Sequence, residues 1–449
     1  MKHLKSVAII GGGPSAAPCI KALLAENYFG KITAYEQQPA PGAGVWNYNG
    51  LTRPTPNLPC TRDMPAEPIE HKKDGSIIYY NPMYRDLNTN LPHMLMAYKD
   101  FPFPEGVDLF PKRQVVKQYV QDYARHVVDH FKFETMVTGL KKTGDVWMVE
   151  SKYVGPHAKE NVQPELETYD YVIVCTGHYS HPFVPDVPGL KAYSDKHEVL
   201  HAKYFDNPDS YVGKTVLVVG NSSSGIDIAN QAAKTAKKVI VSARSPSNAP
   251  TKGNIETVGV ITKFHGDDID VEGAPGVEGS SPQTLSDVDV VIYCTGYLYS
   301  FPFLHSYVHH SDDDLITDGV RIRNLYRQLF YINDPSIAFI GMPKNVVPFP
   351  LAETQAAVVA RVWSGRLKLP SKETQFESLR KEEKERGTGS AHHTLKHPLD
   401  AEYQQALTDW LKADTYPDPD KGFFGVEWDE ERYNWRRNVK KPQLGDLSL

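Results

Sequence analysis

Cysteine is scarce: only Cys19, Cys60, Cys175 and Cys294 occur in 449 residues, and no two are close in sequence. That excludes a disulfide framework, a cysteine-built zinc site and a CxxC dithiol centre, and it suits a reducing compartment. Cys19, Cys175 and Cys294 read as small buried apolar residues. Long hydrophobic runs are missing as well, and Met1-Lys2-His3 passes almost directly into an apolar strand. Neither a membrane span nor a cleaved leader is expected, and a cytoplasmic location is. Excess positive charge is also absent: the formal net charge is -6, with Lys and Arg spread along the chain, so nucleic acid and anionic membrane are not expected partners. No Ser/His/Asp, paired-carboxylate or metal-ligand constellation stands out. His309-His310 beside Asp312-Asp313-Asp314, and the pair His392-His393, read as solvated polar loops, so no metal is expected.

What the chain does have is two glycine-rich turns of different chemical character. Gly11-Gly12-Gly13-Pro14-Ser15-Ala16 follows the apolar run Val7–Ile10 and opens a helical stretch through Ala25. Gly220-Asn221-Ser222-Ser223-Ser224-Gly225 follows Val216–Val219 and opens another through Gln231. Both are strand-turn-helix units of the dinucleotide-binding type. The first unit ends at Glu36, twenty-five positions beyond Gly11, where a carboxylate accepts the two hydroxyls of an adenosine ribose and repels a 2'-phosphate. The second ends at Arg244, twenty-four positions beyond Gly220, where a guanidinium beside a hydroxyl suits a 2'-phosphate. The first turn therefore reads as an FAD or NAD site and the second as an NADP site. Ala16 replaces the third glycine of the first turn, which needs only a small side chain. Ser222 replaces the second glycine of the other turn, at some cost in room for a pyrophosphate but with a hydroxyl to offer.

Two nearly matching tripeptides, Cys175-Thr176-Gly177 and Cys294-Thr295-Gly296, end apolar strands. A strand ending in Thr-Gly lets the backbone pass close beside a bound dinucleotide. They mark where the chain leaves and re-enters its first domain. The expected fold is α/β with two Rossmann-type dinucleotide-binding domains. One, 181–294, binds NADPH and is inserted into a discontinuous FAD domain, 1–180 and 295–449. Between the glycine-rich turn Gly42–Trp46 and an amphipathic helix from Arg113, the Pro- and charge-rich stretch 52–75 reads as a surface loop. A strand is expected at Ile337–Gly341 and a long helix at Pro350–Leu367.

These residues resemble the flavin-containing monooxygenases, class B flavoproteins with FAD and NADPH. The resemblance rests on Gly11 to Ala16, Gly44-Val45-Trp46, Thr89-Asn90, Gly220 to Gly225 and Cys294-Thr295-Gly296-Tyr297. The stretch from Asn345 through Pro348-Phe349-Pro350 to Leu367 is similar to fungal members in particular. The family's FxGxxxHxxx(F/Y) motif is matched only at His201 and Phe205; Asp195 and His197 stand where the aromatic and glycine belong. His201 reads as structural. The resemblance implies a cofactor set of FAD at Gly11, Gly12, Gly13, Pro14, Ser15, Ala16, Glu36, Gly44, Val45 and Trp46. It implies NADPH at Gly220, Ser222, Ser223, Ser224, Gly225 and Arg244, with Thr89, Asn90, Leu91, Thr295 and Gly296 also on the cofactors. It implies further that NADPH reduces the flavin, that dioxygen adds to form a C4a-hydroperoxide, and that a nucleophilic nitrogen or sulfur of a small amine, thiol or sulfide takes the distal oxygen. Asn90 is the implied catalytic residue: a neutral amide can donate and accept without supplying a proton. A Baeyer–Villiger oxygenase acting on a ketone, and a non-enzymatic NADPH-sensing protein, remain open; homo-oligomerisation is open too.

Overall fold

The computed structural model describes residues 4–61, 70–159, 163–246, 253–307, 314–315, 318–414 and 422–439. The first domain begins with strand β1 (Lys5–Ile10), helix α1 (Ala16–Ala25) and strands β2 (Phe29–Tyr35), β3 (Phe131–Lys132) and β4 (Tyr171–Val174). The chain then builds a second unit from strands β5 (Glu198–His201) and β6 (Thr215–Val219), helix α2 (Ser223–Ala232), and strands β7 (Lys238–Ser242), β8 (Ile255–Val258) and β9 (Val290–Tyr293). It rejoins the first sheet through Leu325–Tyr326, Phe330–Tyr331 and β10 (Ile337–Phe339), and continues into helix α3 (Pro348–Trp363).

The first sheet has seven strands in the order Leu325–Tyr326, Phe330–Tyr331, β10, β4, β1, β2, β3, and the second has five in the order β8, β7, β6, β9, β5. Every pairing from β10 to β3 is parallel, as is every pairing in the second sheet. Continuous apolar runs follow from that arrangement, because a central parallel strand is covered on both faces. In β1, Val7 and Ile9 enter the core formed with α1 and α3. Ala8 and Ile10 enter a second core, against an antiparallel sheet of Thr135–Thr143, Val146–Tyr153 and Glu165–Tyr169. The second unit repeats the plan. Val216 and Val218 face α2, while Leu217 faces an antiparallel sheet of Ile261–His265, Asp268–Val271 and Gln283–Leu285. Both units are three layers thick, and each is of Rossmann type, in agreement with the expected α/β class.

The two crossings between the sheets lie side by side. Pro182 pairs with Tyr297 and His181 with Leu298 in a two-stranded antiparallel ribbon, immediately after the two Thr-Gly strand ends. The 52–75 stretch is less exposed than a surface loop should be. Leu58 and Cys60 are buried in the core behind the second sheet, and Cys60 bridges Val184; residues 62–69 lie outside the described residues.

Candidate functional site

Both glycine-rich turns are shaped by contacts that a side chain would destroy. Gly11 has φ +98°, and a Cβ on it would lie 2.9 Å from the Cys175 carbonyl oxygen and 3.0 Å from Thr176 Cα. Gly220, at φ +114°, meets the Cys294 carbonyl in the same way, at 2.7 Å. The matching Cys-Thr-Gly tripeptides thus have a common use: each carbonyl packs into the space that the first glycine leaves open. A thiol is small enough to stand there.

Around the first turn, Gly12 N–H donates to Glu36 Oε2 at 2.7 Å, and Gln38 N–H donates to Glu36 Oε1 at 2.7 Å. Glu36 is buried, and desolvation pushes its carboxyl up to about 7 against the pull of those backbone donors. Each carboxylate oxygen keeps one further lone pair, which matches the two hydroxyls of a ribose. Gly44 closes on the turn from outside: a Cβ there would lie 3.0 Å from Gly13 Cα and 3.1 Å from Pro14 Cδ. Trp46 follows it, with its ring 6.4 Å from that of Phe349 in the first turn of α3. Ala16 is fully buried against the sheet. Sequence reasoning missed Tyr98, whose hydroxyl donates to the Pro14 carbonyl at 2.7 Å, and Gly341, where a Cβ would lie 2.9 Å from Ser15 Oγ. Tyr98 carries no local signal; Gly341 is signalled by its place at the end of an apolar strand.

The second turn is more open. Ser222 is the extended N-cap of α2, and Ser222, Ser223 and Ser224 are exposed, so the serine in the place of the second glycine has room. Gly225 is buried, and a Cβ on it would lie 1.9 Å from the Gly220 carbonyl oxygen. Arg244 is exposed and has no hydrogen bond or ion pair among the described residues. Asn221 Nδ2 donates to the Ser245 carbonyl at 3.3 Å, which draws the turn and the Arg244 segment together. A helix N-terminus, serine hydroxyls and a guanidinium without a partner among the described residues are donors of the kind an anion requires.

Thr295 and Gly296 lie at the ribbon between the units. The Thr295 hydroxyl donates to the Phe183 carbonyl, and the Gly296 carbonyl accepts from Phe183 N–H at 2.9 Å and from His201 Nε2 at 3.0 Å. His201 Nδ1 accepts from Lys203 N–H, so the ring is the neutral Nε2–H tautomer, and burial holds it in that state by lowering its pKa to about 3. It ties the linker together. Thr89 is buried, its hydroxyl donating to the Leu91 carbonyl at 2.8 Å, whereas Asn90 is exposed and its side chain has no partner among the described residues.

One reading of the site needs correction. His392 and His393 are not in a solvated loop but are almost fully buried. His393 Nδ1 bonds the Gln328 side chain and its Nε2 lies 2.9 Å from Ile322 N and 3.1 Å from Ile322 O, so its polar atoms are satisfied inside, while His392 Nε2 meets Gln328 Nε2 at 3.4 Å. His309, His310, Asp312 and Asp313 lie outside the described residues. Cys19 and Cys175, 156 residues apart, meet with their sulfurs at 3.6 Å. Both are buried, as are Cys60 and Cys294, and burial pushes the Cys19 and Cys294 thiols up, which removes the reactive thiolate. Titration of the native protein with a disulfide reagent is expected to find no reactive thiol, and titration in denaturant all four; stoichiometric reaction of the native protein would contradict the burial.

The profile of the flavin-binding monooxygenase-like family matches residues 69–252 and 277–416. The chain belongs to that family. It is 31% identical over 449 residues to the thiol-specific monooxygenase of Saccharomyces cerevisiae, covering 97% of this chain and 91% of that protein. To the flavin-containing monooxygenase ustF2 of Aspergillus flavus it is 30% identical, covering 91% and 92%. Among solved structures, the S-allyl-L-cysteine S-oxygenase of Allium sativum superposes with a TM-score of 0.77 at 26% identity, covering 97% of this chain and 92% of that one. This flavin-binding monooxygenase is an oxidoreductase that uses FAD and NADPH, and acts on a small molecule with O2. Its residues fit those cofactors. The Thr176 hydroxyl, beside Gly11, is buried with no partner among the described residues, an orphan that a ligand at the first turn would satisfy. No described helix is long and apolar enough to cross a membrane.

Proposed function

We propose that the enzyme oxygenates a nucleophilic sulfur, or alternatively nitrogen, of a small molecule. FAD is assigned to the first turn, in the domain 1–180 and 295–449, and NADPH to the second, in 181–294. The observation that carries the division is the opposite chemistry of the two strand ends: Glu36 is buried and carries two backbone N–H bonds, while Arg244 is exposed and has no partner among the described residues. Bound FAD, reduced by NADPH, supplies the transfer of one oxygen atom from O2. Glu36 would hold the ribose hydroxyls of the first nucleotide, with Gly11 to Ala16 and Gly44 framing its pyrophosphate. Ser222 to Ser224 would offer hydroxyls and the α2 N-terminus to the phosphates of the second, and Arg244 would take its 2'-phosphate. Asn90 would orient the transferred oxygen with its amide and supply no acidic proton. The choice of sulfur is supported by the thiol-specific and S-oxygenase names of two relatives.

The test is to supply the FAD-loaded enzyme with NADPH, isotopically labelled O2 and a panel of thiols, thioethers and amines. Labelled oxygen should appear on sulfur, with NADPH strongly preferred over NADH. NADPH consumption with no oxygenated sulfur or nitrogen product, or an ester formed from a ketone, would overturn the reading. In Asn90→Leu, NADPH oxidation should continue as hydrogen peroxide release while product per NADPH falls about tenfold, the loss of one well-placed hydrogen bond. Unchanged coupling would remove Asn90 from the mechanism.

A further inference from the structure

The Asn90 side chain has no partner among the described residues, so the irregular segment that carries it sets its position. That segment is held from two sides. Tyr84 belongs to the second unit: it is buried in the same core as Val216, Val218 and Ile228, with Tyr80 and Leu87 packed against it, while Met83, Leu87 and Leu91 also pack against the core of the first unit. The Tyr84 ring meets the Phe205 ring edge-on at 5.3 Å. Its hydroxyl donates a short hydrogen bond to Asp227 Oδ2, an oxygen that also accepts from Gln231 Nε2 at 3.0 Å. Asp227 lies on α2, one turn beyond the serines that open that helix.

The backbone of the same segment belongs to the first unit. The Tyr84 carbonyl accepts from Arg113 Nε at 3.1 Å, and the Leu87 carbonyl accepts from Arg113 N–H at 3.1 Å. Asn88 pairs with Lys112, and Thr89 N–H donates to the Pro111 carbonyl at 3.0 Å. The Arg113 guanidinium lies 3.6 Å over the Tyr48 ring, whose hydroxyl reaches across to Asp206 at 2.5 Å, and Arg85 N–H donates to the Asp206 carbonyl at 3.0 Å. Asn90 therefore hangs from a strap stitched into both units, and the bond from Tyr84 to Asp227 is where the strap grips the nucleotide helix itself.

We infer that Tyr84 is a positioning residue of the oxygenation reaction: through Asp227 its hydroxyl fixes Asn90 in register with the helix that holds NADPH. The inference rests on the proposed assignment of that helix and of Asn90. Removal of the hydroxyl leaves the ring in its core and the FAD site untouched, but lets the strap slide relative to α2. Burial beside a carboxylate also holds the Tyr84 phenol far above its ordinary pKa, so it stays a donor at all working pH values.

The test is Tyr84→Phe in the FAD-loaded enzyme with NADP+ present. Amide exchange in peptides spanning 84–91 should quicken about tenfold, while peptides of β1 and α1 keep their wild-type rates. The KM for NADPH should rise, NADPH oxidation at saturation should persist, and product per NADPH should fall severalfold. Asp227→Asn with Tyr84 intact, which keeps an acceptor oxygen, should retain most of the coupling that Tyr84→Phe loses; a merely structural role would not produce that order. Wild-type exchange, or faster exchange with wild-type coupling, would overturn the inference. If Tyr84→Phe fails to fold, Asp227→Ala removes the same bond from the other side and carries the same expectations. A wild-type enzyme that makes no oxygenated product would sink the proposed function, and the exchange and NADPH-affinity measurements would still decide for or against the strap.

Discussion

Gly225→Ala is expected to abolish NADPH-dependent flavin reduction in a protein that is still yellow with FAD. The added Cβ would lie 1.9 Å from the Gly220 carbonyl oxygen, with Cys294 Cβ a further 3.5 Å neighbour. Both obstacles belong to the turn and the sheet, so neither can rotate away as a surface side chain would, and α2 itself must move. Overpacking of this kind costs about 3 kcal/mol, roughly a hundredfold in a binding constant if the cost falls on the nucleotide-competent geometry. Moving α2 displaces its three opening serines and, on its next turn, Asp227 with its bond from Tyr84. The first unit should be indifferent, because its matching position already carries Ala16 with its Cβ buried in the core. Anaerobic mixing with NADPH, followed at the visible flavin band, decides the matter. Reduction at close to the wild-type rate would show that α2 accommodates the methyl and that Gly225 is not what sets its approach.

The contrast between Ala16 and Gly225 also shows how far sequence reasoning reaches. The two strand-turn-helix units were legible because parallel strands covered on both faces need unbroken apolar runs such as Val7–Ile10 and Val216–Val219, and because glycine spacing is local. The rule that the third position needs a small residue was legible as well, but not that alanine satisfies it in one turn and overfills it in the other. That difference lies in how closely the helix approaches its own turn, where a Cβ on Gly225 would lie 1.9 Å from the Gly220 carbonyl oxygen. The antiparallel layers behind each sheet were largely missed. Their strands, such as Thr135–Thr143 and Ile261–His265, mix exposed lysines and histidines with few apolar residues, so only weak alternation marks them. His392 and His393 were misplaced for the opposite reason: their polarity is answered by Gln328 and Ile322, which lie more than sixty residues away. Tyr84 and Tyr98 escaped notice because each acts on something remote, and a single sequence carries no trace of a contact made 84 or 143 residues away.

Gly12→Ala is expected to yield a nearly colourless protein, although the GxGxxG rule leaves this position free. The glycines that the rule demands of the first turn are Gly11 and Gly13; Gly12 is the variable residue between them. Yet a Cβ on Gly12 would lie 2.6 Å from Glu36 Cβ and 2.7 Å from Glu36 Oε2. The carboxylate folds over this residue and takes its N–H bond, so the methyl and the carboxylate compete for one space. Displacing Glu36 forfeits that bond and both ribose acceptors together, on the order of 3 kcal/mol or more than a hundredfold in FAD affinity. The second turn supports this account by its own composition: there the corresponding residue is Asn221, which has a Cβ, and the strand end offers no acid to fold over it. A glycine in this slot therefore goes with a buried carboxylate. If that coupling is the cause, Gly12→Ala combined with Glu36→Ala should bind FAD no more weakly than Glu36→Ala alone, because the methyl then has nothing to displace. Flavin content by visible absorbance, and FAD affinity of the stripped protein, measure both. Full additivity of the two losses would mean that Gly12 serves the nucleotide directly, through the close approach of its own backbone, and not through Glu36.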